Sequence, residues 1–325
     1  MATKGETSLK ITVLDGIPLN PGDVDWKPIQ ELGDLTVYDY HDPLLLAERV
    51  ANSDIVLTNK APLRKESIPA LANTRLVGVL ATGVNVVDIG ALQDAGIPVC
   101  NVPAYGPEDV AQHALALVLE LCRGIALHSE GVKAGEWQAK GWCYWKKAPL
   151  SLTGKKLGII GFGTIGQYLG RYGHALGMEI LAYSPHRKAA PAYPFEYAPL
   201  ERIYSEADII SLHCPLTDAT KNMINAETLK LFKPGSLLIN TARGQLVDEQ
   251  AAAEALAAGT LGGMGTDVLS VEPPVAGSPL FTAPNTLITP HMAWATARSR
   301  QNIINIMADN IRAFIGGKPI NIVSA

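Results

Sequence analysis

Six residues, Gly161-Phe162-Gly163-Thr164-Ile165-Gly166, follow the apolar run Leu157-Gly158-Ile159-Ile160 and open a helical pattern. GxGxxG alone marks many ordinary turns, but between a strand and a helix it is a phosphate cradle. The first glycine makes the tight turn, the second lets the backbone approach a pyrophosphate, and the third lets the helix pack close to the strand. The helix N-terminus then meets the anion. A dinucleotide cofactor is therefore expected, bound at Gly161, Gly163, Thr164, Ile165 and Gly166. An acidic residue usually follows about 20 residues later, at the end of the next strand, where it binds the ribose of NAD. Here the strand 179–183 is followed instead by Ser184, Pro185, His186, Arg187 and Lys188. A hydroxyl beside cations does not repel a 2′-phosphate, which favours NADP over NAD through Ser184 and Arg187; the bland alternative is a solvated turn.

Four later segments place polar residues directly after apolar runs. They are His213-Cys214-Pro215-Leu216-Thr217, Asn240-Thr241-Ala242-Arg243-Gly244, Thr266-Asp267-Val268 with Glu272 beyond it, and Thr289-Pro290-His291. Taken singly, an arginine after a strand is often a salt-bridge partner, and a lone histidine is more often satisfied packing than a catalyst. Together they set Arg, Glu and His at successive strand ends of one nucleotide-binding sheet, the edge where α/β folds place their sites.

The elements that must position these residues come in two series. Short runs rich in Val, Ile and Leu at 11–14, 35–38, 55–58, 76–80 and 98–102 read as strands buried on both faces, with helix-length stretches such as 43–51 between them. A second series lies at 157–160, 180–183, 209–213, 237–240, 263–268 and 286–289, with helices at 165–176 and 249–258. This β-α-β order predicts parallel sheets covered by helices. A long helix is expected over 107–128 and another over 295–315. If the latter returns to the first series, one domain is discontinuous, at 1–103 plus 296–325, the other runs over 104–295, and a cleft separates them. The length of 325 residues agrees with about two domains.

Composition excludes several classes. Lys plus Arg number 27 and Asp plus Glu 31, a net charge of −4, which gives no electrostatic reason for binding nucleic acid or an anionic membrane. The four cysteines are too few for a disulfide framework and show no CxxC spacing, so no metal site is expected. The N-terminus lacks an apolar core of signal-peptide type, and no segment reaches the ~18 apolar residues of a membrane span. A cytoplasmic location is expected.

The motifs Ala81-Thr82-Gly83-Val84-Asn85, Asn101-Val102-Pro103, 161–166, 213–217, 240–244, 267–273 and Pro290-His291 occur in this order across residues 59–319. In them the chain resembles the D-isomer-specific 2-hydroxyacid dehydrogenase family. The resemblance implies an α/β fold of two Rossmann-like domains, NAD(P)-dependent hydride transfer to a small 2-keto acid, and a homodimer, with the long helix at 107–128 as its surface. It implies that Arg243, Glu272 and His291 are the catalytic trio. His291 would deliver a proton to the substrate carbonyl, since an imidazole changes charge near neutral pH. Glu272 would favour the charged ring and fix its tautomer. Arg243 would grip the substrate carboxylate with its planar fork. By the same resemblance Thr82 and Gly83 offer backbone N–H groups to that carboxylate, Asp267 takes the nicotinamide carboxamide, and His213, Pro215, Thr241 and Ala242 line the cofactor. Domain closure would bring Thr82 and Gly83 towards Arg243 and His291.

Other conspicuous residues read as structural: His113 and His128 on the long helix, and Cys214 as a small buried hydrophobe. Gln112 receives no role, and Lys60 is a secondary candidate to face the cleft. Trp142-Cys143-Tyr144-Trp145 and His291-Met292-Ala293-Trp294-Ala295 resemble the glycerate dehydrogenase (hydroxypyruvate reductase) branch, in which Trp294 would restrict the substrate to a small side chain; packing at a helix start is the alternative. The expected reaction is reduction of hydroxypyruvate, with glyoxylate as a related substrate. Rival readings within the fold are dehydrogenases of lactate, 3-phosphoglycerate, phosphite or formate. The regulatory domain often found in the phosphoglycerate enzymes is not expected here, and Glu272 stands where formate enzymes carry Gln. The more distant rival is a non-enzymatic dinucleotide sensor.

Overall fold

A computed structural model describes residues 8–187 and 189–324. The chain divides into two compact units, one formed by residues up to Gly106 with those from Ala295 onward, the other by Pro107–Trp294.

The first unit is built on strands β1 (Lys10–Val13), β2 (Asp34–Val37), β3 (Ile55–Thr58), β4 (Leu76–Val79) and β5 (Val99–Cys100). They pair in parallel in the order β5-β4-β3-β1-β2, and the strand Ile322–Val323 adds antiparallel to the β5 edge. β3 and β4 are buried along their whole length, which explains their unbroken apolar sequence. The Ala297–Ile315 helix begins at Thr296, whose side chain accepts the Ser299 N–H, and it buries Ile303, Ile304, Met307 and Ile311. Each such burial stabilises by about 1.5–3 kcal/mol. Gly78 of β4 makes room for it: a Cβ there would stand 2.7 Å from the Met307 sulfur. Arg300, nearly buried on this helix, closes a two-point bond on Asp23 at 2.5 and 2.6 Å.

The second unit contains β6 (Lys156–Ile160), β7 (Glu179–Tyr183), β8 (Glu196–Tyr197), β9 (Ile209–Leu212), β10 (Ser236–Asn240), β11 (Leu261–Thr266) and β12 (Thr286–Ile288). All pairs are parallel, in the order β12-β11-β10-β9-β6-β7-β8. The chain starts at β6 and winds outward both ways, so the order reverses between β6 and β9, the switch point at which such sheets hold ligands. The Pro107–Arg123 helix packs Ala111, Ala114, Leu117, Val118, Leu121 and Cys122 into the core beneath this sheet. β11 is unusually rich in glycine for a strand because Leu117 and Leu121 lie against it: a Cβ on Gly263 or Gly265 would meet them at 3.2 and 3.0 Å.

Several boundaries differ from the sequence expectation. The helix anticipated over 107–128 ends at Arg123, because Gly124 adopts φ +57°. A new helix, Ile125–Lys133, starts there, and the Glu120 carboxylate accepts the N–H groups of Ile125 and Ala126. The helix expected at 43–51 shrinks to Leu46–Val50, and the one at 295–315 begins at Ala297. β8 and the Ile322–Val323 strand have two residues each, too short to leave an alternating pattern. Among the described residues no single helix is long and apolar enough to cross a membrane.

Candidate active site

Because every strand of the second unit is parallel, the carboxyl ends of β6, β7, β9, β10, β11 and β12 lie along one edge. The glycine loop follows β6. Gly161 holds φ +99°, and a Cβ on it would stand 2.4 Å from the His213 carbonyl carbon and the Cys214 nitrogen. Gly166, in the first turn of the Thr164–Ala175 helix, would place a Cβ 2.5 Å from the Gly161 oxygen. Gly163 is different: its Cβ would meet no atom within 4 Å, and no side chain caps the helix that it precedes. The first and third glycines thus pack backbone against backbone, while the second borders open space before bare helical N–H groups. Thr164 is exposed and Ile165 packs on the core beneath. This cradle fits a dinucleotide pyrophosphate.

Beyond β7, Ser184 is half-buried and its hydroxyl donates to the His186 carbonyl at 2.9 Å. Arg187 lies 4.7 Å over the Tyr197 ring. Lys188 lies outside the described residues. Beyond β9, His213 Nε2 pairs with the Ser211 hydroxyl at 2.9 Å, and burial pushes its imidazole down to about 4, so it is neutral at pH 7. Cys214 is buried, which pushes its thiol up to about 11. Pro215 is exposed, its carbonyl accepting from Thr220.

The turn after β10 is closed by Asn240, whose amide donates to the Arg243 carbonyl and accepts the Ala242 N–H. Arg243 is half-buried and donates from Nη1 to the Ala242 carbonyl at 2.6 Å. Thr241 carries a buried hydroxyl with no hydrogen-bond partner among the described residues, an unsatisfied polar atom of the kind a bound ligand completes. Gly244 abuts Leu269 so tightly that no Cβ fits, and Gln245 donates to the Ser270 carbonyl at 2.7 Å. These contacts bind the Arg243 turn to the 269–272 segment. There Glu272 accepts the Leu269 N–H with Oε1 at 2.9 Å, and its Oε2 lies 2.6 Å from His291 Nδ1. Both side chains are about one-third exposed, at 34% and 28%.

His291 sits after β12 with φ +53°, left-handed for a residue with a side chain. Its N–H donates to the Asp267 carbonyl at 2.8 Å. The Asp267 carboxylate, 1% exposed, accepts from Thr289 Oγ1 and from the N–H groups of Met292 and Ala293. Trp294 is 7% exposed and its indole N–H donates to the His291 carbonyl at 2.8 Å, so the ring is turned into protein. His113 reaches Thr289 Oγ1 at 2.9 Å, whereas His128 bonds back to the Gly124 carbonyl and takes the Lys146 N–H.

In the first unit the exposed Thr82 donates its hydroxyl to the Val102 carbonyl, and its own carbonyl accepts from Asn101. Gly83 follows it, half-buried. Asp15, at the end of β1, belongs to none of the sequence motifs. Its buried carboxylate accepts the N–H groups of Asn59, Lys60 and Ala61 after β3, and the Asn59 amide donates to Leu80 just ahead of Thr82. Burial raises Asp15 above the ordinary carboxylate range against those three bonds. The only signal in the sequence was an acid at a strand end.

A doubly wound parallel sheet with a glycine-loop cradle is the architecture of a dinucleotide-binding protein, and an imidazole–carboxylate pair stands at its strand ends. Residues 115–293 match the NAD-binding domain of D-isomer specific 2-hydroxyacid dehydrogenases. The chain is 42% identical to a hydroxypyruvate reductase of Blautia hydrogenotrophica, over 97% of this chain and 100% of that one. It is 40% identical to a glycerate dehydrogenase of Methylorubrum extorquens, over 87% and 89% of the two chains. Its fold superposes on the crystal structure of the TT0316 protein from Thermus thermophilus with a TM-score of 0.84 and 31% identity, covering 97% and 100%. The chain belongs to the D-isomer-specific 2-hydroxyacid dehydrogenase family.

Proposed function

We propose that this dehydrogenase reduces hydroxypyruvate to D-glycerate, and glyoxylate to glycolate, with Arg243, Glu272 and His291 as its working residues. The observation that carries the reading is the 2.6 Å contact between His291 Nδ1 and Glu272. A carboxylate accepts only, so Nδ1 bears the hydrogen, and Nε2 is left to protonate the substrate oxygen. Arg243, anchored at the Ala242 carbonyl, has its remaining N–H groups for the substrate carboxylate. The N–H groups at Thr82 and Gly83 are assigned to substrate binding by the first unit, and the glycine loop to cofactor binding by the second. When bound, the reduced nicotinamide supplies the hydride. Thr241, Ala242, His213, Pro215 and Asp267 are assigned to the cofactor's surroundings, the orphan Thr241 hydroxyl supporting this. Trp294, buried with its indole N–H on the His291 carbonyl, is assigned to supporting the His291 turn.

NADP is the preferred cofactor on this reading, because Ser184 stands where an acid would repel the 2′-phosphate and Arg187 is exposed nearby. A homodimer is supported by Ile125, Trp137, Trp142 and Trp145, which are exposed on one stretch of the second unit. A cytoplasmic location agrees with the exposed, unpaired Cys143 thiol. The test is a substrate panel. Hydroxypyruvate and glyoxylate should exceed phenylpyruvate and branched 2-keto acids in kcat/KM, and the reverse ranking would overturn the substrate assignment.

A further inference from the structure

The Asp267 carboxylate is the hub beneath His291. Oδ1 accepts the Thr289 hydroxyl proton at 2.5 Å and the Met292 N–H at 2.9 Å, while Oδ2 accepts the Ala293 N–H at 2.8 Å. With the His291 N–H on the Asp267 carbonyl, both flanks of His291 are pinned to one residue. This matters because His291 is left-handed, and a residue with a side chain stays so only where its surroundings over-determine it.

A second element reaches the hub. His113, on the Pro107–Arg123 helix, sets Nε2 at 2.9 Å from Thr289 Oγ1 and 3.6 Å from Asp267 Oδ1. Its neighbours Ala111, Ala114 and Leu117 lock that helix into the core. A hydroxyl has one proton to give, and that of Thr289 is committed to an acceptor-only carboxylate. Towards His113 the Thr289 oxygen can therefore only accept, so Nε2 of His113 carries hydrogen. The donations run in one direction, from His113 through Thr289 to Asp267.

We propose that His113 is a positioning residue for the reaction, its Nε2–H orienting Thr289 and Asp267 so that the 289–293 turn holds His291 ready for proton transfer. The proposal rests on reading His291 as the proton donor. His113 touches neither substrate nor reacting atoms on this account, so its loss should slow the chemical step and leave substrate binding in place.

The experiment compares His113→Leu, His113→Gln and His291→Asn with the parent, measuring kcat, KM for hydroxypyruvate and Kd for reduced cofactor. His113→Leu should lower kcat by about tenfold or more with KM for hydroxypyruvate within about threefold, the split expected when a transition-state interaction is weakened. His113→Gln, which restores an N–H donor, should recover most of the loss. A Leu variant with parental kcat, or a Gln variant as slow as Leu, would overturn the proposal. Long-range proton–nitrogen NMR of the parent protein gives a readout independent of turnover and of variant folding. A protonated Nε2 at His113 is expected, and an unprotonated one would overturn the proposal. If His291→Asn alone keeps full kcat, the proton-donor reading falls, and this proposal falls with it; if only His113→Leu does, this proposal falls by itself.

Discussion

Gly163→Ala should separate cofactor binding from folding. At Gly163 the backbone is extended, with φ −83°, and a Cβ meets nothing within 4 Å. An added methyl therefore clashes with no protein atom and restricts the unfolded chain, a change of about 0.4–1 kcal/mol in favour of folding. The melting temperature should hold or rise by about 1–3 °C. The same methyl occupies the space assigned to the pyrophosphate. Loss of one charge-assisted hydrogen bond, about 1.5–3 kcal/mol, weakens Kd roughly 10- to 150-fold. Gly161→Ala is the contrasting variant. A side chain at φ +99° costs about 1–3 kcal/mol, and the backbone atoms 2.4 Å away add a collision that cannot relax cheaply. That protein should melt well below the parent. Fluorescence titration of reduced cofactor beside thermal unfolding reads both effects. Parental affinity in Gly163→Ala, or parental melting in Gly161→Ala, would refute the division of labour between the glycines.

Three further outcomes follow from the same geometry. Arg243→Lys keeps the charge but loses the planar fork, so kcat/KM for hydroxypyruvate should fall about 10- to 100-fold in steady-state assays with cofactor Kd unchanged. Ser184→Asp restores an acid at the end of β7 and should shift the NADPH-to-NADH preference about tenfold or more towards NADH, read as the ratio of kcat/KM values. His213 titrates at about 4 in the folded protein against 6.5 when exposed, so the unfolded chain binds the extra proton between those values. Its contribution is complete above pH 6.5 and is lost as pH falls towards about 4; at about 1.4 kcal/mol per pH interval the ceiling is about 3 kcal/mol. Denaturant unfolding at several pH values should show a shallower acid decline in His213→Gln than in the parent.

Much of this architecture was legible because the strands of parallel sheets are buried on both faces and leave unbroken apolar runs. β3, β4 and β9 are buried at every position, and each was expected within one residue of its observed span. β8 and the Ile322–Val323 strand were not, since pairing with a neighbour, rather than any pattern of their own, makes two residues a strand. Gly124 broke the long helix because a single left-handed residue overrides an apolar stripe that continues past it. At the site, Arg243, Glu272 and His291 were legible as polar residues at strand ends, but the bonds that hold them were not. His113 and Thr289 are 176 positions apart, and Asp15 and Ala61 are 46 apart. Only the winding of the chain brings such pairs together, and neither pair has a local spacing to betray it.

The most direct test of the central claim is the initial rate of hydroxypyruvate reduction by the parent protein and His291→Asn, followed by loss of reduced-nicotinamide absorbance with NADPH and NADH. Parent turnover should fall in the range of ordinary enzymes, about 1–10³ per second. The variant should be slower by about 10²–10⁴-fold and still bind reduced cofactor. A folded, cofactor-binding parent that does not reduce hydroxypyruvate, or a His291→Asn variant within about fivefold of the parent, would contradict it.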